Sequence, residues 1–366
     1  MSSNSFAITY TVKNEATVLP LAIAYHVAAG CSLVYLFWDG TTDDAEKLIE
    51  GLPVVARPSV RPEEMVDPPE WVTRLLPWWT TNMDVRKQIN TYYAAKWAAE
   101  AGIEWLASID VDELILMDRH AEIDANHITA PLSRVPAAID QVLMPNMDVI
   151  PTAAACEQPF VECVYFQNRF RATEEVWRYS RAVLIRLLKV TPSLVAWYDY
   201  LFFWLRYRGD GARMMFDPKP RDSKRAGARI PAGYFLGYSS YKSLIRTSRI
   251  AGLSFSIHSW VKETRPPRTM RLGNVLHYDM PGASYFARKF RQRSPDAIVK
   301  VFHLRYRLAQ VARECTDEEL EEFFRMYIAV TDEAQMARLK RKGIAVEVQS
   351  VARLLRRLMA GDAAKG

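Results

Sequence analysis

The chain reads as an α/β protein built on a mostly parallel sheet. Three observations predict this. Strand-like and helix-like periods alternate through the first 116 residues, the pattern of right-handed β–α–β crossovers. Polar clusters recur where the strands end, the edge at which such sheets bind ligands. The composition, 49% hydrophobic and 25% charged over 366 residues, is that of an ordinary globular chain long enough for one large domain with additions.

Phe6 to Val12 alternates and is rich in β-formers, so a first strand is predicted there. Ala16 to Ala29 carries Val18, Leu21, Ala22 and Tyr25 at a helical period, and Gly30 ends it. Leu33 to Trp38 is an apolar strand. The turn Asp39 to Asp44 leads into a short helix reaching about Gly51, and Pro53 to Ala56 is another short strand. Residues 57–81 are rich in Pro and Trp and show no period, so a long excursion is expected, as a lid or acceptor-facing loop. Asp84 to Ala101 sets Val85, Ile89, Tyr92, Tyr93 and Trp97 mostly on one helical side, and Gly102 closes it. A strand running from Trp105 into Asp110 follows. Beyond residue 120 the pattern blurs. Val142 to Met147 and Leu253 to Ile257 read as strands, Thr316-Asp-Glu-Glu319 as a capping box, and 331–359 as a helical appendage.

Cys31, Cys156, Cys163 and Cys315 are far apart and form no Cys-x-x-Cys pair, which points to reduced thiols and away from zinc. The first residues lack the basic and apolar regions of a signal peptide, and no apolar run reaches membrane-spanning length. Leu194 to Tyr207 comes nearest, but it is short and broken by Asp199. A cytoplasmic protein is expected, with peripheral contact at the inner membrane face left open. The net charge of +6 permits attraction to nucleotide diphosphates, anionic lipids or nucleic acid without choosing among them. The basic runs at 338–342 and 353–357 read as solvated helix faces.

The stretch Trp105 to Glu113 carries the chemistry. An apolar run ends in Asp110 and Asp112, with Glu113 beside them. Both aspartates point the same way if the extended geometry persists. Paired hard oxygens at a strand end suit Mg²⁺ or Mn²⁺, which can grip a diphosphate and neutralise a phosphate leaving group. Asp-x-Asp alone is common. Here it stands beside Asn14 with Glu15 and Asp39, which also fall at strand ends.

Several short motifs recur in order: Val12-Lys-Asn-Glu15, Ala24 to Gly30, Trp38-Asp-Gly-Thr-Thr-Asp43, Arg86-Lys-Gln-Ile-Asn90, and Trp105 to Glu113. Later come Tyr241-Lys-Ser-Leu-Ile-Arg246, Ser256-Ile-His-Ser259, Val275-Leu-His-Tyr278 and Ser284 to Lys289. Together these resemble the bacterial family-2-like glycosyltransferases related to family 92, which have the GT-A fold. Residues 6–116 match well and 120–235 poorly. Gly40-Thr41 departs from the family's usual turn. The resemblance implies a domain over 1–310, with a nucleotide-sugar half (1–116) and an acceptor half (117–310), followed by a helical extension over 311–366.

By the same resemblance the protein moves a sugar, with inversion, from a nucleotide-diphosphate donor to a hydroxyl of a glycan or lipid-linked glycan. The product would be a cell-surface polysaccharide or lipopolysaccharide, and Mn²⁺ or Mg²⁺ would assist. Asp110 and Asp112 would belong to the metal and diphosphate site, with His258 or His277 as a late metal ligand. Thr11, Asn14, Glu15, Asp39, Arg86, Gln88, Asp110 and Val111 would line the donor pocket. A base must deprotonate the acceptor, and Asp148 and Glu162 are the candidates. His26 reads as a packed or capping histidine, and His120, His127 and His303 have no partner at ligand spacing. Trp71, Trp78 and Trp79 suit sugar stacking and core packing about equally.

Two other functions compete. A nucleotidyltransferase would show a Gly-rich phosphate loop after the first strand, where this chain has Lys13-Asn-Glu-Ala16; a nicotinamide dehydrogenase fails on the same absence. A non-catalytic nucleic-acid or membrane-surface protein on a degenerate transferase fold would not explain carboxylates gathered at strand ends in a basic chain. No nucleic-acid partner is expected.

Overall fold

The computed structural model describes residues 5–168, 241–291 and 304–361, with isolated helical positions between 176 and 201. The apolar run from Leu194 to Tyr207 and His303 fall outside this set, apart from single positions of the run. In chain order the elements are β1 (Phe6–Val12), α1 (Leu19–Ala28), β2 (Cys31–Trp38), α2 (Ala45–Leu48), β3 (Val54–Pro58), α3 (Glu70–Leu75), α4 (Met83–Glu100), β4 (Trp105–Ser108) and β5 (Glu113–Leu116). Then follow α5 (Thr129–Leu132), β6 (Gln141–Asp148), α6 (Pro159–Glu162), β7 (Tyr165–Gln167), β8 (Tyr241–Arg246), β9 (Leu253–Ser256), β10 (Ser259–Lys262), β11 (Thr269–Arg271) and β12 (Asn274–His277). The described chain closes with α7 (Ala283–Arg291), α8 (Leu304–Glu314), α9 (Asp317–Tyr327), α10 (Glu333–Arg341), β13 (Ala345–Glu347) and α11 (Ser350–Met359).

The chain divides into two compact units. The first comprises residues 1–146, 240–277 and 350–366, and the second 147–239 and 278–349. The main sheet runs β3-β2-β1-β4-β8-β6-β12-β5, with β11 beside β6. β1 pairs in parallel with β2 and β4, and β2 with β3. This is the predicted α/β architecture, and its parallel half places the carboxyl ends of four strands on one edge. β8 then runs antiparallel between β4 and β6.

The sequence explains these elements. β1 is buried on both faces, as a parallel strand should be. α4 begins at Asn82, whose side chain accepts from the Asp84 amide at 2.9 Å. Its inner face packs Val85, Ile89, Tyr93 and Ala94 with Phe37 and Leu106 into one core cluster. Gly30 turns the chain at φ +102°, and a Cβ there would lie 2.2 Å from the Ala125 carbonyl oxygen, so only glycine fits.

Three expectations need correction. The strand entering Asp110 stops at Ser108, because the Glu113 amide donates to the Asp110 carbonyl at 3.0 Å and closes a turn. The extended geometry therefore does not persist through Asp110 and Asp112. The excursion over 57–81 contains α3, with Trp71 buried in the core against Tyr92. The appendage over 331–359 is interrupted by β13, which pairs with β7.

In the second unit, Phe286, Phe290, Leu308, Leu320 and Phe324 form a separate core on α7, α8 and α9. The capping box at Thr316 and Glu319 is present. Tyr278 is held edge-on between Phe160, at 4.7 Å, and Phe166, at 5.2 Å.

Candidate active site

The parallel strands of the first unit deliver polar groups at their carboxyl ends: Asn14 after β1, Asp39 after β2, Ser59 after β3 and Asp110 after β4. Asn14 sits at φ +57°, a conformation asparagine tolerates better than other side chains. Its Oδ1 accepts from the Thr42 amide at 2.8 Å and the Thr42 hydroxyl at 3.2 Å, pinning the β2 turn to the β1 turn. Asp39 is buried and receives Arg86 in a two-pronged pair, Nε at 2.5 Å and Nη2 at 2.8 Å, plus the Ser59 hydroxyl at 3.2 Å. Asn90 donates to both Thr11 Oγ1 and Ser59 Oγ at 3.1 Å. Thr11, Asn90, Ser59, Asp39 and Arg86 are therefore one bonded network.

The acidic turn forms a second network. Lys87, on the inner face of α4, bonds one Asp110 oxygen. Lys242, fully buried in β8, bonds the other at 2.6 Å and reaches Glu113 Oε2 at 3.0 Å. Glu113 Oε2 also accepts from the Asp110 amide at 2.8 Å. Two carboxylates thus meet two ammonium groups. Burial opposes charge on Asp110, but Lys242 and Lys87 overcome it and hold this carboxyl well below its usual range. Glu113 is only 1% exposed, and its burial pushes its carboxyl up although Lys242 pulls the other way. Lys242 is disfavoured by burial, yet Asp110 and Glu113 raise its pKa.

Asp112 faces elsewhere. β12 runs antiparallel to β5 with His277 opposite Glu113. This register sets His277 Nε2 3.8 Å from Asp112 Oδ2, with His277 buried and Asp112 partly open. His258 lies in the turn between β9 and β10. Burial first, then the positive charges of Lys242 and Lys87, push its pKa down to about 4, so it is neutral near pH 7.

His26 braces this turn from behind. Nε2 accepts from the Ile115 amide at 3.2 Å, so Nδ1 carries the proton and donates to the Ala22 carbonyl at 2.8 Å. It is a packed histidine tying α1 to β5, and burial pushes its pKa down to about 3.

The other sequence candidates lie as follows. Gln88 turns back to its own helix, donating to the Asp84 carbonyl. The Glu15 carbonyl accepts from the Val18 and Leu19 amides at the start of α1. Val111 is buried. Asp148, at the end of β6, is buried in the second unit. Glu162, also in that unit, is exposed, and its carboxylate accepts the Glu157 and Gln158 amides at 3.1 and 2.6 Å. Of the tryptophans, Trp71 is buried, Trp79 donates to the Val60 carbonyl, and Trp78 is 55% exposed. Lys87, Asn90 and Lys242 had no assigned role in the sequence reading, although each lies in a quoted motif. Their signal was a polar residue on a buried helix face or inside an apolar strand.

No family model matches the chain. Two proteins of Arabidopsis thaliana, both described as glycosyltransferase-like, are each 23% identical over 345 residues, or 89% of this chain. The chain spans 58% and 66% of their lengths. Among solved structures, glucosyl-3-phosphoglycerate synthase from Mycobacterium tuberculosis, in complex with Mn²⁺, UDP and glucosyl-3-phosphoglycerate, is 12% identical. It covers 76% of this chain and 74% of its own, with a TM-score of 0.30. A CMP:2-keto-3-deoxy-manno-octonic acid synthetase complexed with CTP is 10% identical, covering 98% and 99%, with a TM-score of 0.25.

Proposed function

We propose that the protein is a metal-dependent glycosyltransferase that moves a sugar from a nucleotide-diphosphate donor to a hydroxyl acceptor. The observation that carries this reading is the acidic turn after β4. Its Asp110 and Glu113 are charge-matched by Lys87 and Lys242, while Asp112 is aimed at a buried histidine. The description of both plant relatives as glycosyltransferase-like supports the same reading.

The donor set suits Mn²⁺ or Mg²⁺. An oxygen and an imidazole nitrogen 3.8 Å apart can both reach one ion at bond lengths of about 2.1 Å. When bound, the ion would stabilise the leaving diphosphate. Asp112 and His277 would hold it. Asp110, partly exposed and bonded to both lysines, keeps free lone pairs and stands beside Asp112 as a further ligand. Asp39, Arg86, Thr11 and Asn14 form the rigid floor for the nucleoside. His258, neutral and within electrostatic reach of both lysines, is the alternative ligand to His277. Asp148 and Glu162 are the candidate bases, and Glu162 also accepts two backbone amides. Inversion, a glycan or lipid-linked acceptor, a role in surface polysaccharide or lipopolysaccharide synthesis and a cytoplasmic location, with peripheral membrane contact, complete the proposal. Among the described residues no helix is long and apolar enough to cross a membrane.

The test is a thermal-shift panel of nucleoside diphosphates and nucleotide sugars, with and without Mn²⁺, on the native protein and Asp112→Asn. A ligand at about 100 times its Kd stabilises by about 2.7 kcal/mol. One nucleotide should raise the native melting point only with the ion, and Asp112→Asn should lose that rise. No rise with any nucleotide would sink the proposal.

A further inference from the structure

The second unit contains a feature that the transferase reading does not use. Cys156 and Cys163, seven residues apart and unpaired by any sequence motif, bring their sulfurs to 3.8 Å. The backbone between them is already fixed. The Cys163 amide donates to the Pro159 carbonyl at 3.0 Å, and the Glu162 carboxylate closes the turn on the Glu157 and Gln158 amides. The same loop grips the chain that continues from His277. The Cys163 thiol faces the Pro281 carbonyl at 3.8 Å, and the Ala283 amide donates to the Ala154 carbonyl at 2.8 Å. Gly282 lies so close that an added Cβ would come within 2.8 Å of the Cys156 Cβ.

We propose that Cys156 and Cys163 are a modification site, closing to a reversible intrachain disulfide that staples the 156–163 loop. A disulfide needs sulfurs about 2.05 Å apart, so the pair must close by roughly 1.8 Å, a movement within reach of side-chain rotation. The co-reactant is a small disulfide such as oxidised glutathione. The Cys163 thiol, the less buried of the two, loses its proton and attacks one glutathione sulfur, releasing one glutathione thiolate, which is protonated. Cys156 loses its proton in turn and attacks the Cys163 sulfur of that mixed disulfide, releasing the second glutathione. Two electrons pass from the protein thiols to the glutathione disulfide. The neighbouring Cys156 thiol, followed by burial, raises the Cys163 pKa, so the reaction is slow at neutral pH and quickens in alkali. The proposal does not depend on the transferase activity.

The full-length protein would be incubated with oxidised glutathione at about pH 8.5, alkylated, and analysed by intact mass and peptide mapping. The native chain should lose two hydrogens and yield one linked peptide pair, reversed by dithiothreitol. C156S should instead trap a glutathione adduct on Cys163. Both thiols still alkylated under these conditions, or a stable glutathione adduct on native Cys163, would overturn the disulfide.

Discussion

Replacing Lys242 by methionine tests how the acidic turn is held together. Methionine keeps much of the stem volume and removes the charge that Asp110 and Glu113 share. Glu113, 1% exposed, then faces Asp110 with no ammonium of its own. The cheapest response is for Glu113 to take up a proton in the folded state. Its ordinary pKa is 4.5, so holding that proton at pH 7 costs about 3.4 kcal/mol. At pH 5 the same step costs only about 0.7 kcal/mol. The sign follows from linkage. A carboxyl protonated when folded but ionised when unfolded makes stability fall as pH rises above its unfolded pKa. Lys242→Met should therefore be less stable than the native protein at pH 7 by at most about 3.4 kcal/mol, less the cost of whatever proton Glu113 already takes up in the native fold, with a smaller gap at pH 5. Urea denaturation followed by tryptophan fluorescence at both pH values measures this. Adding Glu113→Gln to the same chain should restore most of the stability and remove the pH dependence of the gap. A loss below about 1 kcal/mol, or a gap equal at both pH values, would refute the charge-matching argument.

Three further outcomes are expected. His26 is kept neutral by burial with its pKa pushed down to about 3, so the unfolded state binds a proton below pH 6.5 that the folded state refuses. Stability should fall from pH 6.5 downwards, by about 2 kcal/mol at pH 5 from this group alone, and His26→Gln should flatten that limb in denaturation measured across the range. Arg86→Lys replaces the two-pronged grip on Asp39 with a single point charge, so it should cost about 1–2 kcal/mol and weaken nucleotide binding by calorimetry. Gly30→Ala forces a Cβ against the Ala125 carbonyl at a positive φ, so a loss exceeding about 2 kcal/mol, read as a large drop in melting temperature, is expected.

Much of the first unit was legible because its signals are local. The alternation of β1, α1, β2 and β3 and the α4 period each follow from spacing within a few residues, as does the capping box at Thr316 in the second unit. The sequence also placed Asn14, Asp39 and Asp110 at strand ends, where the structure has them. The geometry between distant segments was not legible. Nothing near Asp110 says that Lys242, 132 residues later, occupies one of its oxygens. Nor does spacing reveal that the chain turns at Asp110, which gives the two aspartates different partners. His277 meets Asp112 through the β12–β5 register, a pairing that neither strand announces alone.

The order in which the first unit collects its parts bears on how the chain reaches its fold. β8 lies between β4 and β6, yet it is made almost 100 residues after β6. Until residue 246 emerges from the ribosome, β4 and β6 each present an unpaired edge, the kind of surface that seeks a partner strand in another molecule. The last contribution, α11, packs Val351, Leu354 and Leu355 inward and meets α1 from the opposite end of the sequence. A nascent chain shorter than about 350 residues therefore leaves the α11-facing side of α1 uncovered. Such a topology leaves these strand edges open through much of the chain's synthesis. It makes yield sensitive to chaperone capacity, and it marks the α11 segment as a poor place to cut when shorter versions are prepared.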